Sequence, residues 1–449
     1  MSWLGLDDTD SPKGGCTTWV LSEVLRELSV SGHGIDLVGP PRLVRLNPNV
    51  PWKTRGNAAL SARFGVGVGA PRELGAFGQR SRPLLSYPRG KPLTTSQEDE
   101  LWRTAVEVVL RSSDRSVEGT DPTVLLAPGP LPPDLYWRAV REVVPWRAVE
   151  DRLLEVPGVR LAAFGSGQGI VGAAASIAWP GRRATWEAIA YRHASRWGSP
   201  RNVDGESVRG VAARYPETFL SYDDETRRTM VAPHTPCPIL FGMRASRPDR
   251  LPKAIAEVTA GEPLERWLLF RTNQATGDHL VRRTLGDRTP ASSGIYEGLV
   301  ADAPELLSGG HVRFRIEAGG VQLPCVAFEP TKRLPKISRT LLRGDRVRVW
   351  GSFPFGSEEA DRGVRLEGIQ VLSTRPAWEK SRNPRCPSCR RRMGSVGAGK
   401  GFRCSLCGRR SAPERAKGRW VARGAMRGTY LPTPSARRHL APRRAPARA

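Results

Sequence analysis

The chain has 449 residues, 39% hydrophobic and 7% aromatic, enough for about three or four domains with modest cores. Its net charge is +26, with 70 Lys and Arg against 44 Asp and Glu. That excess predicts a polyanionic partner. No run of about 18 apolar residues and no basic-then-apolar leader is present. A soluble, cytoplasmic protein that meets nucleic acid and not a membrane is therefore expected.

The first elements alternate between strand and helix. SWLGL reads as a strand entering the loop DDTDSPKGG. TTWVLSEVLRELSVSG follows with apolar residues at helical spacing and a closing glycine. PRLVRLNPNVPWKTRGNAALSARFGVG reads as strand, Pro-rich loop and strand; SQEDELWRTAVEVVLRSS and DLYWRAVREVVP read as amphipathic helices. An α/β or α+β domain is expected over residues 1–155. A second segment, 156–287, holds a glycine loop feeding the small-residue helix in GSGQGIVGAAASIAW. Such a loop either faces a phosphate chain or packs tightly on a sheet.

Residues 288–375 change character. Five short alternating segments, from GIYEGLVADAP to GVRLEGIQVL, are split by turn residues. They suit an OB-like β-barrel, a fold that binds nucleic acid when a basic module adjoins it. From Ala377 to the end, 20 Lys and Arg stand against 2 Asp and Glu, so most of the charge lies in the last sixth of the chain. Residues 376–411 hold C-x2-C, fourteen residues, then C-x2-C: Cys386, Cys389, Cys404 and Cys407. Two such knuckles make a closed tetrahedral site, so a structural Zn²⁺ is expected. The surrounding arginines suit a grip on a phosphate backbone. The basic tail, 412–449, has little to bury and is expected to order only on a partner, if at all.

The opening acids carry the chemistry. Asp7, Asp8 and Asp10 lie within four positions. Turn-making and helix capping explain one or two acids there, but not three. Crowded carboxylates repel unless a cation neutralises them, and Mg²⁺ takes oxygen ligands while leaving positions for phosphates. Gly14 and the following helix start offer backbone N–H groups to an anion, and Thr17 and Thr18 offer hydroxyls. Cys16, with no nearby His, reads as a packing residue. Downstream, Arg42, Arg45, Lys53, Arg55, Asn47 and Asn57 supply charge for phosphoryl transfer or for a nucleic-acid-facing loop. In RWLLFRTNQATGDHL, the polar side chains of Thr272, Asn273, Gln274 and His279 either read a base or ribose or cap a loop. The remaining histidines show no ligand spacing.

Taken in order, GLDDTDSPKGGCTTW, RLNPNVPWKTRGN, GQGIVGAAASIAW, TWEAIAYR, PCPILFGMRA, RWLLFRTNQATGDHL, the barrel strands, the knuckles and ARRHL resemble one family over nearly the whole chain. These are the archaeal 2-agmatinylcytidine synthetases of isoleucine tRNA, known as TiaS. The resemblance implies a multidomain α+β protein: a kinase-like N-terminal domain, a ferredoxin-like domain, an OB-fold and a zinc ribbon. It implies an ATP-dependent ligase that joins agmatine to the wobble cytidine of the isoleucine tRNA with a CAU anticodon, so that AUA is read and not AUG. ATP and agmatine are co-substrates, Mg²⁺ and structural Zn²⁺ the metals, and no protein partner is expected.

Residue by residue, Asp7, Asp8 and Asp10 resemble the family's Mg²⁺/ATP acids, Asp7 and Asp8 the metal ligands among them. Thr17 matches its phosphorylatable threonine. Gly14, Thr18, Lys53, Arg55 and Asn57 fall in phosphate-facing motifs, and Thr272, Asn273, Gln274 and His279 in a substrate-holding one. The family usually carries a bulkier residue at Gly15, Arg at Gln168, and Gly and Asp at Ala275 and Gly277, which leaves Asp278 without an assigned role. Two other classes fit parts of the pattern. A non-catalytic single-strand binder has no need of the acidic loop. A Mg²⁺-dependent nuclease or topoisomerase-like enzyme has no evident need of the threonine pair.

Overall fold

The structure, a computed structural model, describes residues 1–54, 56–78, 82–356, 363–397, 399–415 and 417–446. Its centre is strand β1 (Ser2–Asp7), which ends at the acidic loop. Helix α1 (Thr17–Ser31) follows; Val20, Leu21, Val24, Leu25 and Leu28 form one buried stripe, and Gly32 stops the helix in the left-handed region. Then come β2 (Asp36–Val38), β3 (Arg42–Arg45), β4 (Ala58–Val68), β5 (Arg72–Phe77), β6 (Arg82–Tyr87) and β7 (Arg89–Lys91). Helix α2 (Thr95–Ser112) starts at a capping box between Thr94 and Gln97. Next are β8 (Thr123–Ala127), α3 (Pro133–Arg141), α4 (Trp146–Leu154), β9 (Arg160–Ala163) and α5 (Gly169–Ala178).

Both neighbours of β1, namely β4 and β8, run antiparallel to it. Among the described residues of the first segment, only β2 with β6, and β3 with a later strand, pair in parallel. The first domain is thus α+β and not a parallel α/β fold. Helices α1 and α2 cover one face of the sheet, and α3, α4 and α5 the other. The glycine motif of α5 is a packing device. A Cβ on Gly5 of β1 would meet the Ala173 carbonyl, so helix and strand approach backbone to backbone.

The second segment continues the same sheet. It contributes β10 (Thr185–Tyr191), α6 (Gly205–Arg214), β11 (Thr218–Phe219), the hairpin β12 (Tyr222–Asp223) and β13 (Arg228–Thr229), β14 (Ile239–Ala245), α7 (Leu251–Ala256) and β15 (Arg266–Thr272). β15 is the seam. Its first half pairs antiparallel with β5, and Arg271 and Thr272 pair in parallel with Arg42 and Leu43 of β3. The strand order β11-β14-β10-β15-β5-β6-β2-β4-β1-β8-β9 is therefore one sheet, with β3 bridging β15 and β4. The cavity described below lies where the segments join.

A closed barrel follows, built from β16 (Val281–Arg282), β17 (Ser293–Val300), β18 (Glu305–Leu306), β19 (Val312–Ala318), β20 (Val321–Ala327), α8 (Arg333–Ser338), β21 (Arg346–Ser352) and β22 (Val364–Ser373). Closure comes from β17 pairing with both β21 and β19. Val312, Phe314 and Ile316 point inward while Arg313, Arg315 and Glu317 point out, the alternation expected of a strand with one wet face. All five sequence-predicted strands are present.

The last part is a ladder of β23 (Ala377–Arg382) and β27 (Lys417–Val421) flanking a three-stranded ribbon, β24 (Gly394–Ser395), β25 (Phe402–Arg403) and β26 (Arg410–Ser411). The tail corrects one expectation: it is folded on the protein itself. β28 (Gly428–Tyr430) adds to β22 of the barrel. Beyond it Leu440 is buried in the core between α3 and α5, because the segment carries enough apolar and hydrogen-bonding groups to dock on the sheet. No helix among the described residues is long and apolar enough to cross a membrane.

Candidate active site and zinc ribbon

Strand β1 carries Asp7 out of the core into a loop. Asp8 then takes a left-handed backbone, φ 55°, and donates its N–H to Asp7 Oδ1 at 2.8 Å. For a non-glycine residue that conformation is strained, and here it turns consecutive carboxylates toward one cavity. Burial pushes Asp7 well above the usual carboxylate range, and the neighbouring Asp8 and Asp10 add to it. Burial, then Asp10 and Asp121, push Asp8 up to about 7. Asp121, which no sequence pattern singles out, is held by the Ser166 N–H at 2.5 Å and by its hydroxyl. Carboxylate oxygens gathered on one cavity wall suit a hard divalent cation. These oxygens are not drawn into one tight cluster, as the cysteine sulfurs are. Mg²⁺ usually keeps waters or substrate phosphate oxygens in several of its positions.

The loop closes onto α1. Gly15 sits at φ 76°, and a side chain there would stand 3.1 Å from the Thr9 carbonyl, so this chain's glycine matches its backbone. No side chain caps α1; Cys16 is extended and bonds Thr18 Oγ1 at 3.0 Å instead. The first N–H groups of the helix are left without a capping side chain, where an anion is favoured. Thr17 and Thr18 are buried against the cavity wall. Burial pushes the Cys16 thiol up to about 11, in keeping with a packing role.

On β3 the period of two separates the two arginines. Arg42 leaves the site: its guanidinium lies over Trp3 at 4.1 Å and donates to the Trp179 carbonyl at 2.9 Å. Arg45 faces the cavity, 3.9 Å from Glu187, with its Nε buried and unpartnered. Lys53 also lines the cavity, its Nζ donating to the Val50 carbonyl at 2.8 Å. Asn57 lines it too, bracing the loop through Asn47 O at 2.8 Å. Asn47 itself bonds the Ala291 carbonyl at 2.9 Å and so ties this loop to the barrel. Arg55 lies outside the described residues.

The opposite wall comes from β10, β14 and the tail. Glu187 on β10 is buried and pairs with Arg244 of β14 at 3.1 Å. Gln168, at the start of α5, stands on the rim. The T-N-Q stretch lies one layer behind. Asn273 Oδ1 accepts the Arg45 N–H at 2.7 Å, and its Nδ2 donates to Arg45 O at 2.8 Å. Gln274 bonds Glu187 and His439. Thr272 is fully buried and accepts the Gln274 N–H through Oγ1 at 3.3 Å. His279 bonds Glu367 of the barrel at 3.0 Å. None of these four side chains lines the cavity; they hold the groups that do. Asp278 anchors Tyr136 at 2.7 Å.

The cavity has a volume of about 560 Å³, within the range of small-molecule sites. It gathers Asp7, Asp8, Asp10, Thr17, Arg45 and Arg244 around one space. Glu187, Arg244 and His439 are site residues missed from the sequence. A signal existed for the first two: each is a lone charged residue inside an otherwise apolar strand.

In the ribbon, Cys386, Cys389, Cys404 and Cys407 offer sulfurs all within 4.8 Å of one another. Four convergent thiols and a local core of only Met393, Phe402 and two of the cysteines fit a structural zinc.

The fold and the cavity define a multidomain α+β protein with an acid- and threonine-lined site and a four-cysteine ribbon. The chain belongs to the TiaS family. Models of the TiaS TCKD domain match residues 3–165, of the TiaS FLD domain 167–279, and of the TiaS C-terminal zinc ribbon domain 383–419. The isoleucine-tRNA 2-agmatinylcytidine synthetase TiaS of Methanopyrus kandleri is 37% identical over 98% of this chain and 96% of its own. That of Cenarchaeum symbiosum is 34% identical over 98% and 91%. A crystal structure of TiaS in complex with isoleucine tRNA and ATP superposes with TM-score 0.78 at 31% identity, covering 98% of this chain and 95% of that one. A complex of TiaS with the same tRNA, AMPCPP and agmatine gives 0.77 at 28%, covering 98% and 96%.

Proposed function

We propose that this protein is an ATP-dependent ligase that joins agmatine to C2 of the wobble cytidine of the CAU-anticodon isoleucine tRNA, so that the anticodon reads AUA and not AUG. The observation that carries it is the meeting, in one cavity, of the three acids, Thr17 at the uncapped start of α1, and the cations Arg45 and Arg244. Membership of the TiaS family supplies the substrates, since its solved members hold isoleucine tRNA, ATP or an analogue, and agmatine.

In this reading Asp7 and Asp8, with Asp10 beside them, would hold Mg²⁺, and the ion would supply charge balance for the transferring phosphate. Thr17 accepts a phosphoryl group, and the helix N–H groups with Thr18, Lys53 and Asn57 orient it, while Gly14, which donates its N–H to the Ser11 carbonyl at 3.2 Å and does not line the cavity, shapes the loop. The 2-oxygen of cytosine, once phosphorylated, leaves when the amine attacks. Thr272, Asn273, Gln274 and His279 position the wall and do not touch substrate. Residues 1–155 act as a kinase-like domain, 156–287 as a ferredoxin-like domain, and 288–375 as an OB-fold. With the zinc ribbon at 376–411, the OB-fold grips the tRNA in the cytoplasm. The ribbon is basic, and Trp378 and Trp420 expose their rings beside it, a surface suited to phosphates and unstacked bases.

The test is to incubate the protein with ATP, Mg²⁺, agmatine and unmodified tRNA, digest the RNA and weigh the nucleosides. A wobble cytidine gaining the mass of agmatine less water is expected. An unchanged cytidine from a folded, tRNA-binding preparation would overturn the assignment.

A further inference from the structure

His439 enters the cavity from the chain's last segment, and its backbone is pinned there. The Ala275 N–H donates to its carbonyl at 2.8 Å and the Gly277 N–H to that of Leu440 at 2.9 Å. On one side Arg438 reaches Asn49 Oδ1 at 2.7 Å, Ser352 Oγ at 3.0 Å and Glu367 at 3.2 Å. On the other, Leu440 is buried in the core.

The hydrogen bonds also fix the ring's proton. Glu187 is paired with Arg244, and as a carboxylate it only accepts, so the Gln274 amide nitrogen faces it. Gln274 Oε1 then faces His439 Nδ1 at 3.1 Å and likewise only accepts. Nδ1 therefore carries the hydrogen and Nε2 the lone pair. Nε2 makes no hydrogen bond among the described residues, and it lies beside Gly56, where a Cβ would stand 3.1 Å away. The ring faces Arg45 and Arg244, with Glu187 reached only through Gln274. Arg45, then burial, then Arg244 hold its pKa well below the usual histidine value, so the ring is neutral at pH 7.

We propose that His439 Nε2 is the acceptor for the attacking amine, a role that rests on the ligase reading above. The amine nitrogen forms its bond to C2 with its lone pair. The bond from C2 to the phosphorylated oxygen breaks, and that oxygen leaves with the pair as phosphate. One N–H proton of the amine passes to Nε2. A nitrogen that has just bonded to carbon is far more acidic than a free alkylammonium, so a weak base suffices. The imidazolium formed between two arginines is unfavourable and gives its proton up to the departing phosphate or to water, restoring the neutral ring.

The test uses the full-length enzyme with H439Q and H439A, checked for unchanged melting temperature and tRNA affinity. Two steps are followed: ATP consumption with tRNA alone, and amine transfer with agmatine or with its aminooxy analogue. The aminooxy nitrogen is less basic and loses its proton more readily. Both variants should keep ATP consumption within about threefold and lose about 10²-fold or more in agmatine transfer, with a smaller loss for the aminooxy analogue. Agmatine transfer within about threefold of wild type would overturn the role. An equal loss of both steps, or an equal loss with both amines, would make the segment a structural strap only. A wild type that consumes ATP on tRNA but joins neither amine would overturn the ligase reading and the role with it.

Discussion

Asp7 and Gly172 meet across the interface of β1 and α5: a Cβ on Gly172 would collide with the Asp7 carboxylate and stand 3.1 Å from the Ala59 side chain. The leading acid of the site is therefore seated by a glycine 165 residues on. Gly172→Ala should displace Asp7 and lower ATP consumption by at least about tenfold, since misplacing a reacting group by about 1 Å costs up to 10²-fold. Gly210→Ala, on a helix where an added Cβ meets open space, is the control. It should leave activity unchanged and stabilise by about 0.5–1 kcal/mol. Equal activity in the two variants would show that Asp7 does not need its seat.

The raised carboxyl groups give stability a direction with pH. Asp8 ionises near 3.8 in the unfolded chain and near 7 in the folded one, and Asp7 is raised in the same sense. Between those values the folded protein holds protons that the unfolded chain has lost. Stability without a divalent ion should therefore fall as pH rises from about 4 through 7. A cation that binds the ionised acids reverses this. The melting-temperature gain from Mg²⁺ with ATP should be larger at pH 8 than at pH 5, and Asp8→Asn should flatten the metal-free slope while abolishing ATP consumption. A Mg²⁺ gain independent of pH would remove the acids from the metal site.

Much of this was legible in the sequence, and the misses share a cause. The barrel strands, α1, α2 and the cysteine quartet show in short-range patterns: alternation, helical spacing and C-x2-C. The seam at β15 does not, because its two half-pairings with β5 and β3 join strands that lie far apart in the chain. The acids and Thr17 cluster in sequence, so they were visible. Glu187, Arg244 and His439 converge only through the sheet and the folded-back tail. The T-N-Q stretch was visible as polar, but its direction was not: two amides that look like base readers instead clamp Arg45 and orient His439. The tail was misjudged because composition counts its arginines and not the single Leu440 and the backbone bonds that dock it.

The ribbon's stability should belong to its metal. Its core is only Cys386, Met393, Phe402 and Cys404, with Cys389 against it, too few groups to fold without a cross-link. Chelation should unfold this part alone, seen as a separate low-temperature transition and the release of one zinc per chain. Tight tRNA binding should weaken, while the sheet and barrel keep their own melting temperature. An unchanged melting profile after complete zinc removal would contradict this.

Ala275 marks a place where this chain strains its own backbone. Its φ is 59°, in the region glycine occupies freely, while its N–H holds the His439 carbonyl. Ala275→Gly should relieve about 1 kcal/mol of strain, offset in part by the extra freedom of the unfolded chain. The expected result is a melting temperature equal to or slightly above wild type with agmatine transfer retained. A clear fall in stability would show that the alanine methyl is packed usefully.

Trp378 and Trp420 face each other across the ladder that leads into the ribbon, ring centroids 5.5 Å apart, yet they remain 48% and 69% exposed. Gly418 opposite Lys380 lets the Trp378 indole lie over the backbone, and Lys380 sits 4.7 Å from the Phe402 ring. Cross-strand stacking alone stabilises such a ladder by at most about 1 kcal/mol. Stacking on unpaired bases is worth about 1–3 kcal/mol per base. Trp378→Ala with Trp420→Ala should therefore weaken tRNA binding by about 1–3 kcal/mol and leave the slope of log affinity against log salt unchanged, because no cation is removed. Arg390→Ala with Arg391→Ala should instead flatten that slope by up to about two units, one for each phosphate no longer neutralised. If the tryptophan variant lowers the ribbon's melting temperature but not its tRNA affinity, the pair serves the ladder and not the RNA.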